Sequence, residues 1–174
     1  IRINALMTVG KINDLSSVKT VIEALEDEQW EIRAIAAGII GEMAIKGAAY
    51  RLVNLLRDPN WYVRKNAARS LARLGLIGIN ALINTIDSDD RFARDMCVQT
   101  LEENGIIEEM LNILTRKESK KSGLASKMIR LLISHGYLNY LENFRNSHSI
   151  LQSLLSQRPD NHQEATVEKT PLEN

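Results

Sequence analysis

The feature that most constrains this chain is that it repeats itself. Leu25-Glu26-Asp27, with Trp30, Ile32-Arg33, Ala36-Ala37 and Ile40-Gly41, returns as Leu56-Arg57-Asp58, Trp61, Val63-Arg64, Ala67-Ala68 and Leu71-Ala72, a shift of 31 residues. A third copy follows at a shift of 30 through Ile86, Phe92-Ala93-Arg94, Cys97, Leu101 and Gly105. A faint fourth follows that at 31, through Met128, Leu132 and Gly136. Backwards, Ala5 and Gly10 lie 31 before Ala36 and Gly41, so the chain opens inside the second half of a unit and reads as a piece of a longer protein. A period of this length means stacked supersecondary units, none of which can bury its apolar faces alone.

Each unit divides into two helices. The first is short and apolar, with Val18, Val21, Ile22 and Leu25, then Leu52, Val53, Leu55 and Leu56, then Ala81, Leu82, Ile83 and Ile86, then Ile107, Met110, Leu111 and Leu114. Spacings of three and four put these residues on one helical stripe. The second helix of the clearest unit is predicted to start with Asp58 as N-cap and Pro59 in the first turn, and to end at Leu74-Gly75. Its stripe of Val63, Ala67, Leu71 and Leu74 is widened by Ala68 and Ala72, enough to touch two neighbours at once. Only 5% of residues are aromatic while 44% are hydrophobic, a Leu, Ile, Val and Ala mixture that suits helices better than a β-sandwich.

Asp58, Val63-Arg64, Ala67-Ala68 and Leu71 to Gly75, with the matching set from Asp27 to Ala44, resemble the HEAT-repeat family in the short form of bilin lyase-like proteins. The resemblance spans Ile1 to Gly136, and its departure is a period shorter than the usual HEAT length. The Thr-Pro-Leu-His and Trp-to-Leu-Gly signatures of ankyrin and tetratricopeptide repeats are absent. The resemblance implies an all-α fold, a right-handed α-solenoid of stacked antiparallel helix pairs whose second helices line the concave surface. It also implies that Asp27, Arg33, Asp58, Arg64 and Arg94 form a hydrogen-bonding ladder between repeats, imperfect in the third copy, where Ser88 stands at the Asp position between Asp87 and Asp89.

The solenoid is expected over residues 1–157, N-terminally incomplete. Tyr137 to Phe144 reads as a further first helix and Ser149 to Gln157 as a closing one. Residues 158–174 turn polar and are expected to be a disordered tail, and Thr115 to Gly123 a mobile loop.

Charge alternates by block. Residues 23–42 carry a net −5, residues 51–75 a net +5, residues 87–109 are acidic again and residues 116–130 basic. Lys65, Arg69 and Arg73, four apart, share one stripe of the basic second helix and are predicted to face the groove, where they could hold an acidic segment or a phosphate. Complementation between neighbouring repeats is the equally open alternative. Trp30, Trp61 and Phe92 form an aromatic column, one ring per unit, offering either an anchor for a partner or, as regular recurrence favours, packing between repeats.

Catalytic chemistry is poorly supplied. His135, His148 and His162 are scattered and do not make the His-Glu pairs of the iron-binding HEAT hydroxylases. There is no Gly-rich phosphate loop, Cys-rich metal cluster or nucleophile motif, and Cys97 falls on an apolar helix face where a buried inert thiol is expected. With 22 basic and 22 acidic residues the chain lacks the positive excess of a nucleic-acid binder, and no apolar run reaches the length of a membrane span. The expectation is a cytoplasmic protein-interaction module or scaffold, not an enzyme, with no cofactor, no metal and another protein as partner. The alternatives are a bilin lyase-type enzyme subunit and a nucleic-acid-binding HEAT-like protein.

Overall fold

A computed structural model of the chain describes residues 6–8, 17–116, 122–142 and 152. Among the described residues nine α-helices, two 3-10 turns and no strand lie between Val18 and Glu142, and residues 6–8 and 152 are helical as well. The helices are α1 (Val18–Glu23), α2 (Trp30–Glu42), α3 (Ala49–Leu55), α4 (Trp61–Arg73), α5 (Leu76–Thr85), α6 (Arg91–Glu103), α7 (Ile106–Thr115), α8 (Ser122–Ser134) and α9 (Asn139–Glu142). Ala24–Glu26 and Lys46–Ala48 are the 3-10 turns. The expected opening unit at Ala5 and Gly10, the segment 117–121, His148 and His162, and the tail 158–174 lie outside the described residues. Of the closing helix only Gln152 is described.

First helices pair with second helices: α3 with α4, α5 with α6, α7 with α8. Second helices also pack on one another, α2 on α4 and α4 on α6, so α4 touches α2, α3, α5 and α6. Four contacts on one helix require apolar groups on more than one face, and Val63, Ala67, Ala68, Leu71 and Leu74 are all buried to within 2%. The predicted stripes of the first helices hold too: Val21, Leu25, Leu52, Leu56, Leu82, Ile83, Ile86 and Ile107 are all buried.

The α2–α4 junction is unusually close. An added Cβ on Gly41 would lie 2.4 Å from Ser70 Oγ and 2.8 Å from Ser70 Cα, so glycine lets the two backbones approach. Across this junction Asn66 Nδ2 donates to the Ala34 carbonyl at 2.8 Å and Ser70 Oγ to the Ala37 carbonyl at 2.7 Å. Both bonds satisfy polar side chains that the packing would otherwise strand away from water.

The start of α4 corrects the expected capping. Asn60, not Asp58, is its N-cap, with its side chain accepting from the Tyr62 N–H at 2.9 Å. Asp58 sits two residues earlier, accepts the Asn60 N–H at 2.8 Å and gives the rest of its carboxylate to Arg33. The end of α4 follows the sequence, with Leu74 as C-cap and Gly75 at φ +68°. Gly105 and Gly136 hold the same place after α6 and α8 at φ +69° and +82°. After α2 the place is taken by Ala44, forced to φ +51°.

Candidate functional site

The basic stripe lies on α4 as predicted, with Arg69 and Arg73 exposed and Lys65 half-buried. Arg73 makes no ion pair among the described residues. Arg69 Nη2 reaches Glu103 Oε2 of α6 only at 3.8 Å, with both side chains about half exposed. Lys65 Nζ is 4.5 Å from the centroid of the Trp61 ring, a cation–π contact along the helix surface. Between α2 and α4 opens a cavity of about 420 Å³, walled by Ala34, Gly38, Glu42, Asn66, Arg69 and Arg73. Gly38 has no heavy atom within 4 Å of where its Cβ would be, so this wall is open space. Two guanidinium groups one turn apart on the rim of such a cavity attract carboxylates. Glu42 on the opposite wall would orient them.

The three aromatic rings do not form one column. Trp30 stacks on Tyr62 of the next repeat, with centroids 5.6 Å apart and planes at 22°. Tyr62 meets Trp61 edge-on at 5.1 Å and 79°. Phe92 lies over the Arg64 guanidinium, 5.5 Å from its carbon. Packing between repeats engages Trp30 and Phe92, while Trp61 meets Tyr62 and Lys65 of its own helix, and Trp30, Trp61 and Phe92 remain 37%, 44% and 69% exposed. Tyr62 completes this edge at 58% exposed. The first copy has Glu31 at the matching place before Arg33, which hides Tyr62; its adjacency to Trp61 and the aromatic Phe92 at the matching place before Arg94 were the available signals.

Of the expected ladder one rung crosses between repeats among the described residues, Arg33 to Asp58, and the next is missing where Ser88 stands. Arg33 Nε and Nη2 donate to Asp58 Oδ2 and Oδ1 at 2.7 and 3.0 Å, while Nη1 donates to the carbonyls of Asp27 and Glu28. The hydrogen bond to Asp58, opposed by burial, holds the Arg33 pKa above its ordinary value. Arg64 repeats the backbone half, Nη1 donating to the carbonyls of Asp58 and Pro59 at 2.7 and 3.1 Å. Its Nε is buried with no acceptor. Arg94 does the same, with Nη1 on the Ser88 carbonyl at 2.6 Å and Nε unmatched.

Other chemistry-bearing groups are quiet. Cys97 is fully buried and burial pushes its thiol pKa up to about 12, so it is no nucleophile at neutral pH. Among the described residues no three His, Cys, Asp or Glu side chains stand close enough to hold a metal ion. No described helix is long and apolar enough to cross a membrane.

The family model for HEAT repeats matches residues 18–102, which take in α1 to α6 except for the last residue of α6. Residues 18–102 are HEAT repeats. A bilin biosynthesis protein, MpeU of Synechococcus sp. (strain WH8020), is 38% identical over 101 residues, 55% of this chain and 34% of that protein. The chain therefore spans about a third of the length of that relative. A crystallised engineered protein aligns with a TM-score of 0.42 and 18% identity over 88% of this chain and 87% of its own. Similarity to a protein named for bilin biosynthesis overturns the expectation that this chain is not an enzyme. That expectation rested on missing motifs, and the helical-repeat scaffold presents no motif by which such a role would be read.

Proposed function

We propose that this HEAT-repeat protein serves bilin biosynthesis in the cytoplasm by holding a protein partner, through an acidic segment, in the groove between α2 and α4. The observation that carries the reading is the pair Arg69 and Arg73 on the wall of an open cavity, one in a single loose ion pair and the other in none among the described residues. Charges left unneutralised on a concave wall raise the encounter rate with an opposite charge, an effect that weakens as salt rises. A scaffold alone does not dictate function, so the bilin context rests on the similarity to MpeU.

The test uses the full chain immobilised beside its Arg69→Glu/Arg73→Glu variant and an extract of bilin-producing cells. The wild-type chain should retain a partner that salt releases, and the reversal should lose it. Retention of the same proteins by both at the same salt would remove the groove as the site.

A second reading puts the pigment itself in the cavity, favoured by the same similarity and by the presence of two guanidinium groups on the wall, which could each take one propionate of a linear tetrapyrrole. Glu42 is the carboxylate on the cavity wall and would face the pigment nitrogens. Titration with biliverdin separates the two. A saturable change in its absorption, lost with the arginine reversal, supports the pigment, and an unchanged spectrum leaves the protein partner.

A further inference from the structure

Three turns of this chain are built alike, and the third lacks one part. Asp27 Oδ1 accepts the Gln29 N–H at 2.9 Å, Asp58 Oδ1 the Asn60 N–H at 2.8 Å, and Ser88 Oγ the Asp90 N–H at 3.2 Å. Arg33, Arg64 and Arg94 each send Nη1 to the carbonyl of that same residue, at 2.7, 2.7 and 2.6 Å. Ser88 is thus the structural equivalent of Asp58. Where Asp58 fills the fork of Arg33 with two oxygens, Ser88 has no carboxylate to offer Arg64. The result is a guanidinium pinned at Nη1, with its Nε buried and unmatched.

The acids around this place are all engaged elsewhere. Asp89 pairs with Arg57 at 3.1 Å, Asp90 caps α6 through the Ala93 N–H at 3.1 Å, and Asp87 faces His135 at 3.5 Å. Arg57 also donates to Ser88 Oγ at 2.8 Å, which places a second guanidinium beside the gap. Phe92 covers one face of Arg64 and is 69% exposed, so the cover is a side chain free to move. Trp61 and Tyr62 extend the same edge with exposed ring surface.

We propose that Arg64 is an empty carboxylate socket, completed by an Asp or Glu side chain of a partner segment that crosses the start of α6 beside Phe92. A planar fork binds a carboxylate bidentately with charge-assisted bonds, as Arg33 does here with Asp58. A buried donor without an acceptor is costly, and a ligand that supplies the acceptor recovers that cost. Exposed aromatic rings beside a cation select an acidic residue flanked by apolar ones. This socket lies apart from the Arg69–Arg73 cavity and does not depend on what that cavity holds.

The test follows the Nε–H signals of Arg64 and Arg33 by nitrogen NMR on the full chain, titrated with a blocked tetraglutamate peptide. The Arg64 signal should shift saturably while Arg33, already filled, stays in place. Ser88→Asp supplies the missing carboxylate within the chain and should weaken the peptide by about tenfold or more while raising Tm. Arg64→Lys keeps the charge, loses the fork and should weaken it comparably. The Arg69→Glu/Arg73→Glu chain should keep the Arg64 response, which separates this result from the fate of the groove. The proposal falls if Arg64 does not respond, if Ser88→Asp leaves the affinity unchanged, or if inorganic phosphate displaces the peptide and wins the site. It falls equally if Asp89→Asn moves the Arg64 signal in the free chain, because Asp89 would then be filling the socket.

Discussion

Arg33 and Asp58, 25 residues apart, lock one repeat to the next through two near-parallel hydrogen bonds of 2.7 and 3.0 Å, with side chains only 15% and 5% exposed. Little solvent screens this pair, so cutting it leaves a buried charge with reduced company. Asp58→Ala should destabilise the fold by about 2–4 kcal/mol in urea unfolding. Arg64→Ala should cost about 1 kcal/mol, because it gives up bonds to two backbone carbonyls and no carboxylate. Equal losses at Arg64 and Arg33 would mean that Arg64 has a partner the geometry does not show.

Ala44 occupies the place that Gly75, Gly105 and Gly136 hold after the later second helices, at φ +51°. A Cβ there is strained against the carbonyl, while glycine pays for its freedom in the unfolded chain. The first effect should exceed the second. Ala44→Gly is expected to stabilise by about 0.5–1 kcal/mol and Gly75→Ala to destabilise by about 1 kcal/mol. Opposite signs in thermal melts would confirm that the chain needs a left-handed residue at both places.

Gly41→Ala is expected to be worse than an ordinary glycine replacement in a helix. Alanine favours the helix by up to about 1 kcal/mol, but its Cβ would press on the Ser70 backbone, which cannot rotate away. A net loss of about 1–3 kcal/mol should appear, and Ser70→Ala in the same chain should relieve little of it. Full rescue by Ser70→Ala would place the clash on the hydroxyl alone.

Much of this architecture was legible because stacking writes itself into the sequence as period. The shift of 31 from Asp27 to Asp58 located both helices of two repeats, and Ser88 in the third correctly marked a gap in the ladder. What escaped were features that depend on competition between neighbours. Asp58 reads as an N-cap until Arg33 takes its carboxylate, which leaves the cap to Asn60. Trp30, Trp61 and Phe92 read as a column by spacing, yet only Trp30 finds a ring on the next repeat, and that ring is Tyr62. Nothing in the repeat marks Asn66 and Ser70, whose bonds to the carbonyls of α2 depend on the close approach at Gly41.

Cys97 gives the chain a pH dependence that can be isolated. In the unfolded state its thiol would titrate near its ordinary value of 9.0, whereas burial in the fold raises it to about 12. A raised folded pKa means that stability is fully present below the unfolded value and is lost as pH climbs toward the folded one, since the unfolded chain releases a proton that the native chain keeps. Between pH 9 and 12 this group should therefore remove up to about 1.4 kcal/mol for each pH unit. Tyrosines and lysines titrate in the same range, so the readout is a difference between chains. Cys97→Ala should be less stable at pH 7 through the lost side-chain volume, and the gap should narrow steadily as pH rises above 9. Alkylation by iodoacetamide at pH 8 should be slow in the native chain and fast in urea. A constant gap between the two chains up to pH 11, or fast native alkylation, would show that water reaches the sulfur and that the α6 core opens more readily than its packing implies.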